Sequence, residues 1–353
     1  MFLFFLFVEK YLIMEEEALK RIFGFLEKKG EYNTPLIFKL LKNIALTEED
    51  LNVKGNLKLV HTEITSLPKG LKVSGDLDLS HSNITSLPKG LEVAGNLNLS
   101  GAERITSLPE GLKVGGDLKL IKSKIPSLPD GLKVGGNLDL SFSNITSLPD
   151  GLEVGGNLDL SYSNIKSLTL PEGLELGGSL NLLGERRINS LPKGLKVTGL
   201  LNLHSCQKLT SLPKGLKVGG DLKIIGTKIT SLPEGLEVGG DFKIVETKIT
   251  SLPDGLKVDG NLDISYSKIT SLPEGLEVGG DLNLSYSQLT SLPEGLEVVG
   301  KLYLKGSKIT SLPKGLKVGS DLFVRGSELS GYTKNEIKEM IKPGNIKGKI
   351  YGG

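Results

Sequence analysis

Tryptophan is absent from this 353-residue chain, and large aromatic side chains of any kind are few. A core built on big rings is therefore excluded. There is one cysteine, Cys206, so no internal disulfide can form, which fits a reducing compartment. Charge of one sign is not in excess either: 43 Lys and Arg face 41 Asp and Glu, for a net charge of +2. No strong overall field draws the chain to nucleic acid or to an anionic membrane. Charged residues alternate without a block, and no basic stripe with interleaved aromatics marks a nucleic-acid surface.

The one long apolar stretch is "MFLFFLFV" at the start, broken after eight residues by Glu9 and Lys10. It is too short to span a bilayer and lacks the basic flank and small-residue cleavage site of an export signal. No stable membrane insertion is expected. Met14 opens "MEEEALKRIFGFLEKKG", an alternative natural start, so residues 1–14 are left unassigned.

What the chain has in abundance is glycine, 46 residues, and repetition. "ITSLPEGLEVGGDF" at 229–242 returns as "ITSLPEGLEVGGDL" at 269–282. Units open at Leu51, Leu71, Leu91, Leu112, Leu132, Leu152, Leu174, Leu195, Leu216, Leu236, Leu256, Leu276, Leu296 and Leu316, mostly 20 residues apart and otherwise 21 or 22. The unit reads L-x-V-x-G-x-L-x-L-S-x-S-x-I-T-S-L-P-x-G, and its positions are numbered here as places 1 to 20. The apolar places are 1, 3, 7, 9, 14 and 17. Places 7 and 9 alternate with polar residues, the period-two mark of a strand. Thus Leu77 and Leu79 are expected to point inward, and Asp76, Asp78 and Ser80 outward. "LP-x-G" reads as a turn, and Gly at place 5 as a tight bend or a close approach of backbones.

No unit has room for a full helix. One unit cannot bury its own leucines, but a stack can, with each buried side chain contributing about 1.5–3 kcal/mol. The expected fold is a solenoid of parallel strands with a non-helical outer side, about 65 Å long at strand spacing, over residues 51–330. Helical caps are expected at both ends. Residues 15–50 form the first, from the helical face of Leu19, Ile22, Phe23 and Leu26, then a second helix opening at Thr34-Pro35. Residues 331–353 form the last, a short helix with a Thr333–Glu336 capping box, then a loose polar tail.

The unit resembles leucine-rich repeats, most closely the 20-residue kind of bacterial effector proteins, which reads roughly LPxLPxxLxxLxVSxNxLxx. In "LPEGLEVGGDLNLSYSQLTS", Leu272-Pro273 matches the LP, Leu282 and Leu284 the strand pair, and Leu289 the later Leu. The likeness covers about residues 51–330. Two features depart from it. Ser or Thr (Ser82, Ser123, Ser143, Thr227, Thr247, Ser287) stands at the ladder position where the family has Asn, and Gly stands near a family Leu, which drifts toward a parallel β-helix. The resemblance implies a strand face used for binding other proteins. Some members carry a cysteine-dependent ubiquitin ligase domain, and nothing here matches it.

Chemistry is sparse. His61 and His81 occupy equivalent places in adjacent units without a third ligand, so no metal or cofactor is expected. Cys206 falls near the small Ser/Thr column and reads as a packed thiol. Asp and Asn recur at places 6 and 8 (Asp76, Asn96, Asp117; Asp78, Asp139, Asp159, Asp263), where they read as turn residues bonding their own backbone. No unit breaks the pattern with paired acids, so no enzyme is expected. The adjacent Thr-Ser pairs would show one hydroxyl outward on a strand, which argues against ice binding. Aromatics are the exception: Phe142, Tyr162, Tyr266 and Tyr286 at place 11, and Tyr303 and Phe323 at place 8. Exposed Tyr and Phe are enriched at interfaces; the alternative is that they stack and cover the corner. The expected function is non-enzymatic protein recognition through the strand face, centred on Tyr266 to Phe323. A structural or adhesive solenoid that binds glycans is the alternative, and nucleic acid is not an expected partner. A cytoplasmic location is expected, with secretion as an effector the alternative.

Overall fold

The computed structural model describes residues 34–41, 45–163 and 170–352. The N-terminal stretch 1–14, the helix expected over 15–30 and the proposed start at Met14 lie outside them. Within them, each unit is one rung of a solenoid and contributes two short strands. Lys72–Val73 and Leu77–Asp78 are typical. The first kind pair in parallel into a 15-stranded sheet, here sheet one, and the second kind into another 15-stranded sheet, sheet two.

Sheet two is the strand read from the alternation at places 7 to 9. Sheet one, at places 2 and 3, is the addition. The register runs place to place, Lys72 to Glu92 and Leu77 to Leu97. It holds across the longest spacing, where Val154 pairs with Leu176 and Leu158 with Leu180. Extra residues are therefore absorbed in the corners, because a slip inside a strand would turn its leucines to solvent.

The six apolar places are the core. In the rung from Leu71, the residues Leu71, Val73, Leu77, Leu79, Ile84 and Leu87 are all buried, and their equivalents form one continuous cluster along the stack. Glycine at place 5 is a close-approach residue. A Cβ on Gly260 would stand 2.6 Å from the Gly240 carbonyl carbon, because Gly260 N–H bonds the Gly240 carbonyl of the rung before. Glycine at place 20 serves the turn, as at Gly90 with φ of +78°.

The ends differ from expectation. At the N-terminal side, helix α1 (Thr34–Leu41) lays Leu36 and Ile37 into the core. At the other, helix α2 (Lys334–Met340) has the capping box of Thr333 and Glu336, but it is not terminal. It stands where other rungs have the T-S-L-P corner, burying Ile337 and Ile341. The chain then returns to the sheets. Asn345–Ile346 pairs beside Lys317–Val318, and Ile350–Tyr351 beside Leu322–Phe323, making a fifteenth rung. The expected loose tail is corrected accordingly: Ile346-Lys347-Gly348-Lys349-Ile350 keeps the apolar-x-Gly-x-apolar core of the unit, delayed by the helix.

Candidate functional site

Places 6 and 8 alternate with the buried leucines of sheet two and form its outward face. Place 10 follows, buried at Ser80 and Ser141 but exposed at Lys305 and Arg325, which open the turn after the strand. Place 6 is a ladder between rungs. Asp76 Oδ1 accepts the backbone N–H of Asn96 at 2.8 Å, Asn96 that of Asp117 at 2.7 Å, and Asp241 that of Asn261 at 2.8 Å. The sequence reading had these side chains bonding their own backbone; they bond the next rung's. At place 8 the local reading holds. Asp78 Oδ1 accepts from Ser80 N–H at 3.0 Å and from its hydroxyl at 2.7 Å. That contact buries Ser80, which was expected to face outward.

The small column at place 12 is interior. Ser82, Ser123, Thr227 and Ser287 are buried, and the Ser82 hydroxyl donates to the Leu79 carbonyl at 2.7 Å. Three rungs depart, each 21 residues long rather than 20: they place Ala102, Glu185 and Cys206 in the column. Cys206 is a packed thiol, donating to the Leu182 carbonyl at 3.2 Å, with burial first and the neighbouring Glu185 second pushing it up to about 12. It is not a nucleophile at neutral pH. Glu185 was missed by sequence reasoning. It is 1% exposed, and burial pushes its carboxyl up to about 7, opposed by hydrogen bonds from Ser163 and by Arg187. The Ser163 hydroxyl donates to its Oε1 at 3.0 Å. Aligning the three long rungs would have exposed it.

His61 and His81 stack at 5.0 Å between ring centroids. Among the described residues no group of three His, Cys, Asp or Glu could hold a metal ion. The Thr-Ser pairs at places 15 and 16 are exposed at both residues, as at Thr85 and Ser86. The corner there is not a regular strand, so the one-face-only expectation fails. A groove of about 570 Å³ runs along Lys133, Glu153, Glu175 and the 171–174 corner; Lys133 and Glu153 pair with each other there.

The aromatic residues form two separate columns. At place 11, Phe142 stacks on Tyr162 at 5.2 Å and Tyr266 on Tyr286 at 4.8 Å. All four have positive φ, between 52° and 56°, a conformation that costs about 1–2 kcal/mol for a residue with a Cβ. Stacking, worth about 0.5–1.5 kcal/mol per pair, offsets only part of it, and Lys122 and Glu246 take the same conformation at this place without a ring. Each pair ends against a glycine of the next rung: a Cβ on Gly184 would meet the Tyr162 ring at 2.5 Å. At place 8, Tyr303 stacks on Phe323 at 4.7 Å, and Phe323 on Tyr351 at 4.7 Å. Tyr351, from the fifteenth rung, is the aromatic that sequence reasoning did not include. Lys305 Nζ, two residues after Tyr303, lies 5.7 Å from the Tyr286 ring centroid.

Sheet one faces outward differently. Lys72 and Lys113 both reach Glu92, and Lys217–Glu237, Lys257–Glu277, Glu175–Lys196 and Glu297–Lys317 are also ion pairs. Among the described residues, no helix is long and apolar enough to cross a membrane.

No family model matches the chain, and no curated protein sequence matches it. Among solved structures, YopM from Yersinia enterocolitica WA-314 is 19% identical with a TM-score of 0.39, covering 89% of this chain and 87% of that one. YopM from Yersinia pestis, described as a leucine-rich effector protein, is 18% identical with a TM-score of 0.37, covering 90% and 92%. With its 20-residue period and two parallel sheets, this chain has the form of a leucine-rich solenoid of parallel strands.

Proposed function

We propose that the chain is a non-enzymatic recognition module that binds another protein on the outward face of sheet two, over its last rungs. One observation carries the reading. Place 8 is Lys, Asp or Asn in the twelve rungs from Lys58 to Asn283, then Tyr303, Phe323 and Tyr351 in the last three. The buried places on either side, Leu302, Leu304, Leu322 and Val324, keep the repeat, so the change lies in side chains that point out. Tyr303 and Phe323 are half-buried and Tyr351 is exposed, an arrangement suited to the desolvated centre of an interface. Tyr266 and Tyr286 extend the patch around the corner through Lys305. Phe142 and Tyr162 are a smaller, separate candidate.

Glycan binding is less well supported. Sugars stack on ring faces, and here the rings cover one another's faces within each column. An intracellular location fits the single buried thiol, with secretion as the alternative.

The test is affinity capture from a cell lysate with the full chain, repeated with Tyr286→Ala, Tyr303→Ala and Phe323→Ala. A Lys217→Ala, Glu237→Ala variant on sheet one serves as control. The expected result is partners lost with the aromatic changes and kept with the control. The same partners surviving all three aromatic changes would overturn the reading.

A further inference from the structure

The end of sheet two that carries the three stacked rings also carries cations on either side of them. Across the strands, the rows are Lys301-Tyr303-Lys305, Asp321-Phe323-Arg325 and Lys349-Tyr351. Places 6 and 10 lie roughly 7 Å to each side of place 8 along the chain. The ring column is therefore flanked by Lys301, Asp321 and Lys349 on one side and by Lys305 and Arg325 on the other. Lys305, Arg325 and Lys349 are exposed and Lys301 is half-buried.

Three physical features converge there. First, none of these four cations is in an ion pair among the described residues, whereas the sheet-one lysines at 72, 113, 133, 196, 217, 257 and 317 all are. Second, the nearby carboxylates are already occupied. Asp281 accepts the Lys301 N–H at 2.7 Å and Asp321 the Lys349 N–H at 2.8 Å. Third, the rings are nearly parallel, at 9° and 8°, and stacked along the solenoid axis. They present their edges to solvent, and the edge is the positive part of the aromatic quadrupole. Lysine and arginine heads and ring edges all favour the same sign of ligand.

We infer that this end of sheet two docks an acidic polypeptide segment, its carboxylates set against Lys301, Lys305, Arg325 and Lys349 and its apolar groups against the Tyr303, Phe323 and Tyr351 edges. This rests on the protein-binding reading of the same face and adds the partner's chemistry. A single-stranded nucleic acid also brings negative charge, but it binds through base stacking on open ring faces. Stacked at 4.7 Å, these rings leave no gap for a base between them, and Tyr351, the last ring, has one face without a stacked neighbour among the described residues.

The experiment is fluorescence anisotropy of labelled octaglutamate and of labelled oligothymidylate with the full chain, at low and high salt. The variants are Lys305→Glu with Arg325→Glu, Lys305→Gln with Arg325→Gln, Tyr303→Ala with Phe323→Ala, and Lys217→Glu on sheet one as control. Far-UV circular dichroism and Tm verify folding. Octaglutamate is expected to bind more tightly at low salt, to weaken about tenfold or more on charge reversal and less on neutralisation. The aromatic pair should also weaken it, and Lys217→Glu should leave it unchanged. Three results would each overturn the inference: no octaglutamate binding, binding that survives charge reversal, or oligothymidylate bound more tightly and lost in the same variants. If octaglutamate fails while lysate capture still requires Tyr303 and Phe323, the face remains an interface and only its acidic preference falls. If octaglutamate binds as expected but capture survives the aromatic changes, the docking chemistry stands and the lysate partners bind elsewhere.

Discussion

On sheet one, Lys217 reaches Glu237 at 2.9 Å and Lys257 reaches Glu277 at 3.2 Å, side chain to side chain and largely in water. On sheet two, Asp241 Oδ1 accepts the backbone N–H of Asn261, and Asn261 Oδ1 that of Asp281 at 2.6 Å. Both sheets bury the same core and share one register, yet their outer surfaces are held by different means. Exposed ion pairs contribute little and neutralise one another. Both sheets are registered by parallel backbone pairing, and sheet two adds side-chain-to-backbone bonds at place 6 that do not need place 8. The difference teaches that the sheet with this added hold on its register is the one whose place 8 is edited.

Four changes sharpen or break that comparison. The largest effect is expected in the shared core. Leu262→Ala, at a fully buried position of sheet two, should cost about 2–5 kcal/mol in chemical denaturation. A cost near zero would mean that the rungs do not depend on their neighbours.

Next comes the interior column beside the sheets. Glu185 has its carboxyl raised from 4.5 to about 7, so the folded chain holds a proton that the unfolded chain has already released. Its effect on stability is therefore most favourable below the unfolded value and is lost as pH rises through that window, then flat above it. Ser163, Arg187 and Cys206 are the groups facing it. Tm should fall across this range in the wild type. Glu185→Gln should flatten that part of the profile and raise Tm at pH 8. An unchanged profile in the variant would show that Glu185 is not the titrating group.

The smallest effects separate the two surfaces directly. Asn261→Ala removes the acceptor for Asp281 N–H and should cost about 0.5–1.5 kcal/mol. A double-mutant cycle on Lys257 and Glu277 should give a coupling of about 0.5 kcal/mol or less, vanishing at high salt. Equal values at the two sites would erase the distinction between the sheets.

Much of the architecture was legible in the sequence because each rung repeats the same demands. The six apolar places, the place-20 glycine and the strand at places 7 to 9 are all written in every unit. Sheet one was harder to read: Lys72 and Val73 offer too short an alternation to announce a strand, and it exists because twenty residues later another Val arrives beside the first. The fifteenth rung was hidden by the insertion of α2, which moves its pairing partner 28 residues away, from Lys317 to Asn345. Of the candidate site, Tyr303 and Phe323 were visible as exceptions. Tyr351 was not, nor was the separation of Tyr266 and Tyr286 into a corner column.

The sequence alone determined the period, the inward-facing leucines and the glycines at crowded places, because those follow from side-chain size and alternation within one unit. Only the tertiary structure decided which side chains meet. Contacts in a solenoid run between equivalent places of successive rungs, so Tyr351 finds Phe323, Ser163 finds Glu185 and Asp241 finds Asn261 across intervals of 20 residues or more. The raised Glu185 carboxyl and the cation-flanked ring column arise from those meetings, since burial and charge depend on neighbours that only the stacked rungs supply.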